Sequence, residues 1–254
     1  MNVFSVPFSG GSLGKNDGCE KAPQAILSNM PSLNCANNKV VITNNDVVVF
    51  PLDFPATQLN IIKTVKFPSI ILGGDHSITY ASFKAFAMQH TNAALVVFDA
   101  HPDLMQEFET PTHENYLRML VSESILKSGN LVILGIRAVD EEELNYLREK
   151  GIKYYSATDC VMRKEDICDE AMAFVKNANA LYLSIDIDCV DPAFAPATGY
   201  PEPGGLSSND ILYFISRFRM MKNFKGGDIV EANPSKDINK ITCKLAARIL
   251  ADLC

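Results

Sequence analysis

Short apolar runs rich in β-branched residues alternate with longer stretches of helical pattern from one end of this chain to the other, and nothing else restricts its fold as strongly. Runs such as ALVVF at 94–98 and PSIIL at 68–72 are continuously apolar. Strands covered by helices on both faces of a parallel sheet have that pattern, whereas half-exposed strands alternate. The strands are predicted near Asn2 to Val6, Asp46 to Phe50, Ser69 to Leu72, Ala94 to Phe98, Leu131 to Leu134, Lys153 to Tyr155, Leu181 to Asp186 and Gly227 to Val230. Helices are predicted at Lys21 to Asn29, Ile78 to Gln89, Glu114 to Lys127, Glu141 to Lys150, Lys164 to Asn177, Asn209 to Met221 and Lys236 to Leu253. Repeated βα units of this kind specify the α/β class with a mostly parallel sheet. No linker, repeat or low-complexity tract interrupts the 254 residues, so residues 1–254 are read as one domain, long enough to bury about three quarters of its unfolded surface.

Charge and cysteine usage remove several classes of function. The 23 Lys and Arg stand against 30 Asp and Glu, a net charge of -7, with no basic run to displace counterions from a phosphate backbone. No nucleic-acid partner is expected. The seven cysteines (Cys19, Cys35, Cys160, Cys168, Cys189, Cys243 and Cys254) are odd in number, spread out and without a C-x-x-C pair, which argues against a disulfide framework or zinc ribbon. The opening MNVFSVPFSGGSLG has no basic segment leading into an apolar one, and no window approaches the roughly 20 apolar residues of a membrane helix. A cytoplasmic protein without a membrane partner is expected.

Ligand sites of open parallel sheets lie beyond the carboxyl ends of the strands, and polar clusters follow three strands here. Ser69 to Leu72 leads into Gly73-Gly74-Asp75-His76-Ser77, where the glycines permit a tight turn and Ser77 is placed to cap the next helix. Ala94 to Phe98 leads into Asp99-Ala100-His101-Pro102-Asp103, with polar residues at every second position and a proline that takes the chain out of the sheet. Leu181 to Ile185 leads into Asp186-Ile187-Asp188. Four or more carboxylates in one crevice repel one another unless cations intervene. Carboxylate and imidazole without thiolate suit manganese, with iron, cobalt, nickel or zinc less favoured and magnesium disfavoured by the histidines. Six candidate ligands exceed what one ion takes while keeping a place for water, so two ions bridged by shared aspartates are expected. His90, closing a helical run, stands outside these motifs, and Cys189 is read as a small packing residue.

These three motifs, the third continuing through Cys189-Val190-Asp191-Pro192 to Ala197-Thr198-Gly199, resemble those of the ureohydrolase or arginase/agmatinase family. Gly18-Cys19-Glu20-Lys21-Ala22-Pro23, Gly135-Ile136-Arg137 and Asp228-Ile229-Val230-Glu231-Ala232-Asn233-Pro234 extend the resemblance over almost the whole chain. It implies a three-layer α/β/α fold with an eight-stranded parallel sheet and a binuclear site holding two Mn2+. His76, Asp99, Asp103 and Asp186 would bind one ion and Asp99, His101, Asp186 and Asp188 the other. It further implies that a metal-bridging hydroxide attacks a guanidinium carbon to yield urea and an amine, with Asp103 accepting a hydrogen bond from that hydroxide. Glu231 resembles the carboxylate that pairs with the guanidinium, a planar group offering paired N–H donors. His113 resembles the histidine that carries protons to the leaving amine; the alternative is a plain surface histidine at a helix start.

Two stretches depart from the agmatinase pattern. Thr112-His113-Glu114-Asn115-Tyr116 stands where Ser-His-Gly-Thr-Pro-Phe is usual, and Thr198-Gly199-Tyr200-Pro201 where Thr-Gly-Thr-Pro is usual. Tyr200 adds bulk beside the expected guanidinium position, and Thr198, Tyr200, Glu231 and Asp140 are the expected substrate contacts. Asp140 occupies the place of an arginase aspartate that contacts an α-amino group, and reads equally as a charge complementing a helix N-terminus. The expected substrate is a small cationic guanidino compound, agmatine before arginine or another guanidino acid such as guanidinobutyrate, with formimidoylglutamate less favoured. The rival expectation is a non-catalytic, metal-binding relative with a regulatory role. The resemblance also implies a homo-oligomer, a trimer or hexamer.

Overall fold

The computed structural model describes residues 2–30 and 42–254; Cys35 lies outside the described residues. Eight strands, β1 (Asn2–Val6), β2 (Thr43–Asp46), β3 (Ser69–Gly73), β4 (Ala93–Phe98), β5 (Leu131–Ile136), β6 (Lys153–Ser156), β7 (Ala180–Asp186) and β8 (Phe224–Val230), form one sheet in the order β2-β1-β3-β8-β7-β4-β5-β6. Every adjacent pair is parallel.

Alternate residues of the central strands feed two separate cores, which is why β3 and β4 are apolar at almost every position. Ile70, Leu72, Leu181, Leu183 and Ile185 pack with residues of α1 (Ala22–Asn29), α6 (Ala157–Met162), α7 (Lys164–Val175), α8 (Ser208–Arg219) and α9 (Ile241–Leu253). Ile71, Leu95, Val97, Ile133 and Tyr182 pack on the other face with α2 (Phe54–Thr64), α3 (Ile78–Gln89), α4 (Tyr116–Ser122) and α5 (Glu141–Lys150). The result is the expected three-layer arrangement. Among the described residues no helix is long and apolar enough to cross a membrane.

The structure corrects several element boundaries. The second strand is Thr43–Asp46, not Asp46 to Phe50. Its four residues are all exposed at the sheet edge, so no buried face marks them in the sequence, while the apolar run that follows turns toward α2, where Phe50 N donates to Thr57 Oγ1 (2.8 Å). Helix α2 itself was not anticipated, although Asp53 caps it by accepting from Ala56 N (2.9 Å) and Pro55 occupies its first turn. Helix α6 was missed as well; it is a short element opened by Ser156, whose hydroxyl accepts from Asp159 N (3.0 Å). The helix expected at Glu114 to Lys127 is confined to Tyr116–Ser122, and Ser124 beyond it is left-handed (φ 59°). Helix α9 begins at Ile241 rather than Lys236 because Asn239 and Lys240 are both left-handed.

Candidate active site

The candidate residues follow four strands that are neighbours at the centre of the sheet, β3, β8, β7 and β4. His76 lies three positions past the end of β3, on a turn that needs glycine at position 74: a Cβ there would fall 1.8 Å from the Phe8 carbonyl oxygen. Asp75 then fixes the turn, its N–H donating to Phe8 O (2.9 Å) and its carboxylate accepting from Gly11 N (2.8 Å), Ser77 N (2.9 Å) and Ser77 Oγ. Ser77, expected to cap α3, spends its hydroxyl on Asp75 and makes no cap bond. Burial and the charge of Glu231 push the Asp75 carboxyl up to about 6. Strand β4 stops at Phe98, so Asp99, His101 and Asp103 converge through a loop rather than by strand alternation, Asp103 in a left-handed conformation (φ 53°).

Two ligand groups result, and Asp99 belongs to both: His76, Asp99 and Asp103 form one, Asp99, His101 and Asp188 the other. His76 Nδ1 lies 3.0 Å from Asp99 Oδ2, 3.1 Å from Asp103 Oδ2 and 3.1 Å from Asp186 Oδ2. His101 Nδ1 lies 3.1 Å from Asp188 Oδ2 and 3.4 Å from Asp99 Oδ1. His76 Nδ1 and Asp99 Oδ2 are buried without a hydrogen-bond partner, a condition rare in folded proteins and relieved by a cation. Burial, then the charge of neighbouring aspartates, pushes Asp103, Asp186 and Asp188 above the usual carboxylate range.

The far nitrogen of His76 explains its orientation. Nε2 lies 2.8 Å from Ser184 Oγ and 2.9 Å from Tyr116 Oη. Ser184 Oγ donates to Asp228 Oδ1 (2.6 Å), and Asp228 also accepts from Tyr182 Oη and Thr79 Oγ1. With its own hydrogen so committed, Ser184 offers His76 a lone pair, which assigns the proton to Nε2 and frees the Nδ1 lone pair for a ligand, the arrangement by which outer residues orient metal-binding histidines. The nitrogen and oxygen donor set fits a pair of divalent cations.

A cavity of about 320 Å³ opens on these groups. Glu231, directly after β8 and left-handed (φ 64°), is 3% exposed. Its Oε1 accepts from His76 N (2.7 Å) and lies 3.4 Å from His113 Nδ1; its Oε2 accepts from Asn16 Nδ2 (2.6 Å). Burial alone would raise Glu231, but His113, His76 N–H and Asn16 hold it below the ordinary value. For His113 burial works downward, and Glu231 outweighs it, pushing the imidazole up to about 9. Tyr200 also lines the cavity, its ring stacked on His113 and set edge-on to His101. Asp140 lines it from an exposed position at the start of α5. Thr198 is buried with its hydroxyl unpartnered and is not among the lining residues. Cys189 is fully buried in the core that also takes in residues of α6 to α9.

The model of the arginase family matches residues 1–254. The chain belongs to the arginase family. This arginase-family chain is 30% identical over 275 residues to proclavaminate amidinohydrolase of Streptomyces clavuligerus, covering 99% of this chain and 86% of that protein. It is 32% identical over 218 residues to formimidoylglutamase of Halalkalibacterium halodurans, covering 81% and 68% of the two. In fold it resembles the crystal structure of formimidoylglutamase from Bacillus subtilis, with a TM-score of 0.92 at 23% identity over 99% of this chain and 85% of that one. Sequence reasoning missed Asn16, Asp75, Tyr116, Ser184, Asp228 and the cavity-lining Glu143. The polar loop after β1, which holds Asn16, does follow a strand end and in that respect carried a signal.

Proposed function

We propose that this protein is a manganese-dependent hydrolase of C–N bonds in linear amidines that splits a guanidino compound into urea and an amine, with agmatine, giving putrescine, as its substrate. One observation carries the reading: two largely buried ligand groups sharing Asp99 open on a cavity lined by Glu114, Asp140, Glu143, Glu202 and Glu231 and, among the described residues, by no lysine or arginine. A substrate with two cationic ends suits that lining, and one ending in a carboxylate does not. Membership of a family whose relatives include amidino hydrolases supports the reaction class. A second reading, arginine as substrate, is favoured by Asp140 at the cavity.

His76, Asp99, Asp103 and Asp186 would hold one ion, and Asp99, His101, Asp186 and Asp188 the other. When bound, two such ions supply a hydroxide near neutral pH and offset the charge of the aspartates. The protein's own part is orientation and proton traffic. Glu231, kept ionised and fixed from both sides by His76 N–H and Asn16, would pair with the guanidinium N–H groups and aim the central carbon. Asp103 would take a proton from the attacking oxygen, and His113, cationic at neutral pH, would give one to the leaving nitrogen. Urea release from agmatine, arginine, guanidinobutyrate, guanidinopropionate and free guanidine, after loading with manganese or with nickel, tests the reading. Agmatine should lead the panel, and silence across it with two metals bound would overturn the proposal.

A further inference from the structure

We propose that Glu114, held in place by Tyr200, is the solvent-side end of a proton path through His113; the inference rests on the reading that His113 protonates the leaving amine. His113 is 5% exposed, its N–H donates to Gly11 O (3.0 Å), and its ring is stacked on Tyr200 with centroids 5.7 Å apart at 22°. The two ring nitrogens face different carboxylates. Nδ1 lies 3.4 Å from Glu231 Oε1 in the interior, and Nε2 lies 3.9 Å from Glu114 Oε1. Nε2 is buried and has no hydrogen-bond partner, and such a group calls for a specific explanation. Glu114 Oε1 accepts from Tyr200 Oη (3.0 Å), while the Glu114 side chain is 33% exposed. One carboxylate thus faces a buried imidazole nitrogen and water together. Among the described residues no lysine or arginine forms an ion pair with it. Glu114 and Tyr200 are also the two residues by which this chain departs from the usual His-Gly and Thr-Gly-Thr patterns, and they are bonded to each other.

Proton balance gives the path its purpose. The substrate R–NH–C(NH2)2+ and water become urea and R–NH3+: the bond from carbon to the leaving nitrogen breaks, the carbonyl forms, and both water protons end on that nitrogen. One reaches it from the attacking oxygen by way of Asp103 and the other from the His113 imidazolium, which must regain a proton before the next turnover, while the next water to ionise at the site must lose one. Delivery from Nδ1 leaves the Nε2–H tautomer. Nδ1 then takes up the proton shed by the next water while Nε2 passes its own to Glu114 and solvent, and a proton returning from Glu114 to Nε2 restores the imidazolium. The cycle closes with no net uptake from solvent and without rotation of a ring clamped by Tyr200. The charged groups acting on His113 are Glu231, Asp103 and Asp75 on the inner side and Glu114 on the outer.

Glu114→Gln keeps the shape and the acceptor for Tyr200 but cannot carry a proton. In the manganese-loaded protein its kcat should fall about tenfold or more with KM within about twofold. Raising the imidazole buffer concentration should restore kcat in this variant and leave the wild type unaffected. Glu114→Asp should lie between the two, and Tyr200→Phe, which frees Glu114 but keeps the ring, should acquire the same buffer dependence. A readout independent of turnover is 15N-histidine NMR, in which exchange of the His113 ring proton with water should slow in Glu114→Gln. Unchanged exchange together with wild-type kcat and no buffer response would overturn the proposal. A wild type inactive on every guanidine would instead count against the reaction, and the exchange measurement would still decide the role of Glu114.

Discussion

Asn16 is the residue whose loss should most clearly separate substrate orientation from metal binding. It is fully buried in the loop after β1, and its amide donates to both Glu231 Oε2 (2.6 Å) and Glu231 O (2.9 Å) while accepting from Asn233 Nδ2 (2.7 Å). Asn16→Ala removes one bond to a charged group, about 1.5–3 kcal/mol, and two neutral ones of about 1 kcal/mol each. If the bond to Oε2 is what keeps Glu231 aimed, its loss lowers kcat/KM by about 10- to 150-fold at about 1.4 kcal/mol per tenfold. The neutral bonds register as stability, roughly 2 kcal/mol or about 4–8 °C in Tm for a chain of this size. Asn16→Asp keeps the shape but sets a second carboxylate against Glu231, a repulsion of about 5 kcal/mol at roughly 3 Å and an effective dielectric near 20, and should be worse than Asn16→Ala. The assay is steady-state urea release on agmatine beside metal content by mass spectrometry. Two bound metals and kcat/KM within about twofold of wild type in both variants would refute the reasoning.

Stripping metal with a chelator should lower Tm, since ions at a hundredfold excess over Kd add about 3 kcal/mol per site, and Mn2+ should restore it; Asp99→Ala should hold fewer than two ions and respond little, whereas a chelator-insensitive wild type would count against the metal centre. Ser184→Ala should weaken metal binding about 10- to 100-fold and Tyr116→Phe by less, because Ser184 links the His76 ring to Asp228; competition with a fluorescent chelator measures both, and wild-type affinity in each would remove the orienting role. His113 is raised to about 9, so its donor proton is present through the neutral range and is lost as pH rises through that value. kcat/KM should therefore decline above about pH 9, and a His113→Asn variant that keeps the same alkaline limb would show that another group titrates.

The parts of this fold legible in the sequence are those buried on both faces. Strands β3 and β4 announce themselves as nearly unbroken apolar runs, whereas Thr43–Asp46 owes its strand character to pairing with β1 (Asn2 opposite Thr43, Ser5 opposite Asp46) and carries no apolar signal. The candidate ligands were equally legible because each follows a strand within a few residues and the topology brings those strand ends together. Residues that hold those side chains were not. Asn16 and Glu231 are 215 positions apart, and Tyr116 meets His76 from 40 positions away, so neither shares a motif with the residue it positions. Ser184 is the exception: it stands two residues before Asp186 on β7, and strand periodicity alone places both on one face.

Three separate costs fall at one place in this molecule. Asp103 and Glu231 are non-glycine residues held in left-handed conformations, each unfavourable by about 1–3 kcal/mol. Asp99, Asp103, Asp186 and Asp188 are buried within reach of only two histidines. His76 Nδ1 and Asp99 Oδ2, 3.0 Å apart, are both left without a hydrogen-bond partner. A purely structural acidic cluster would relieve at least one of these, most simply by replacing an aspartate with asparagine or apolar packing, since exchanging a buried ionic group for hydrophobic residues is often neutral or stabilising. Divalent cations among the aspartates would offset the second and third costs, and a guanidinium against Glu231 would use the conformation that the first holds in place. Geometry that is costly for the chain by itself would serve that pair of ligands, so the strain argues for catalysis rather than for a fold that merely tolerates it.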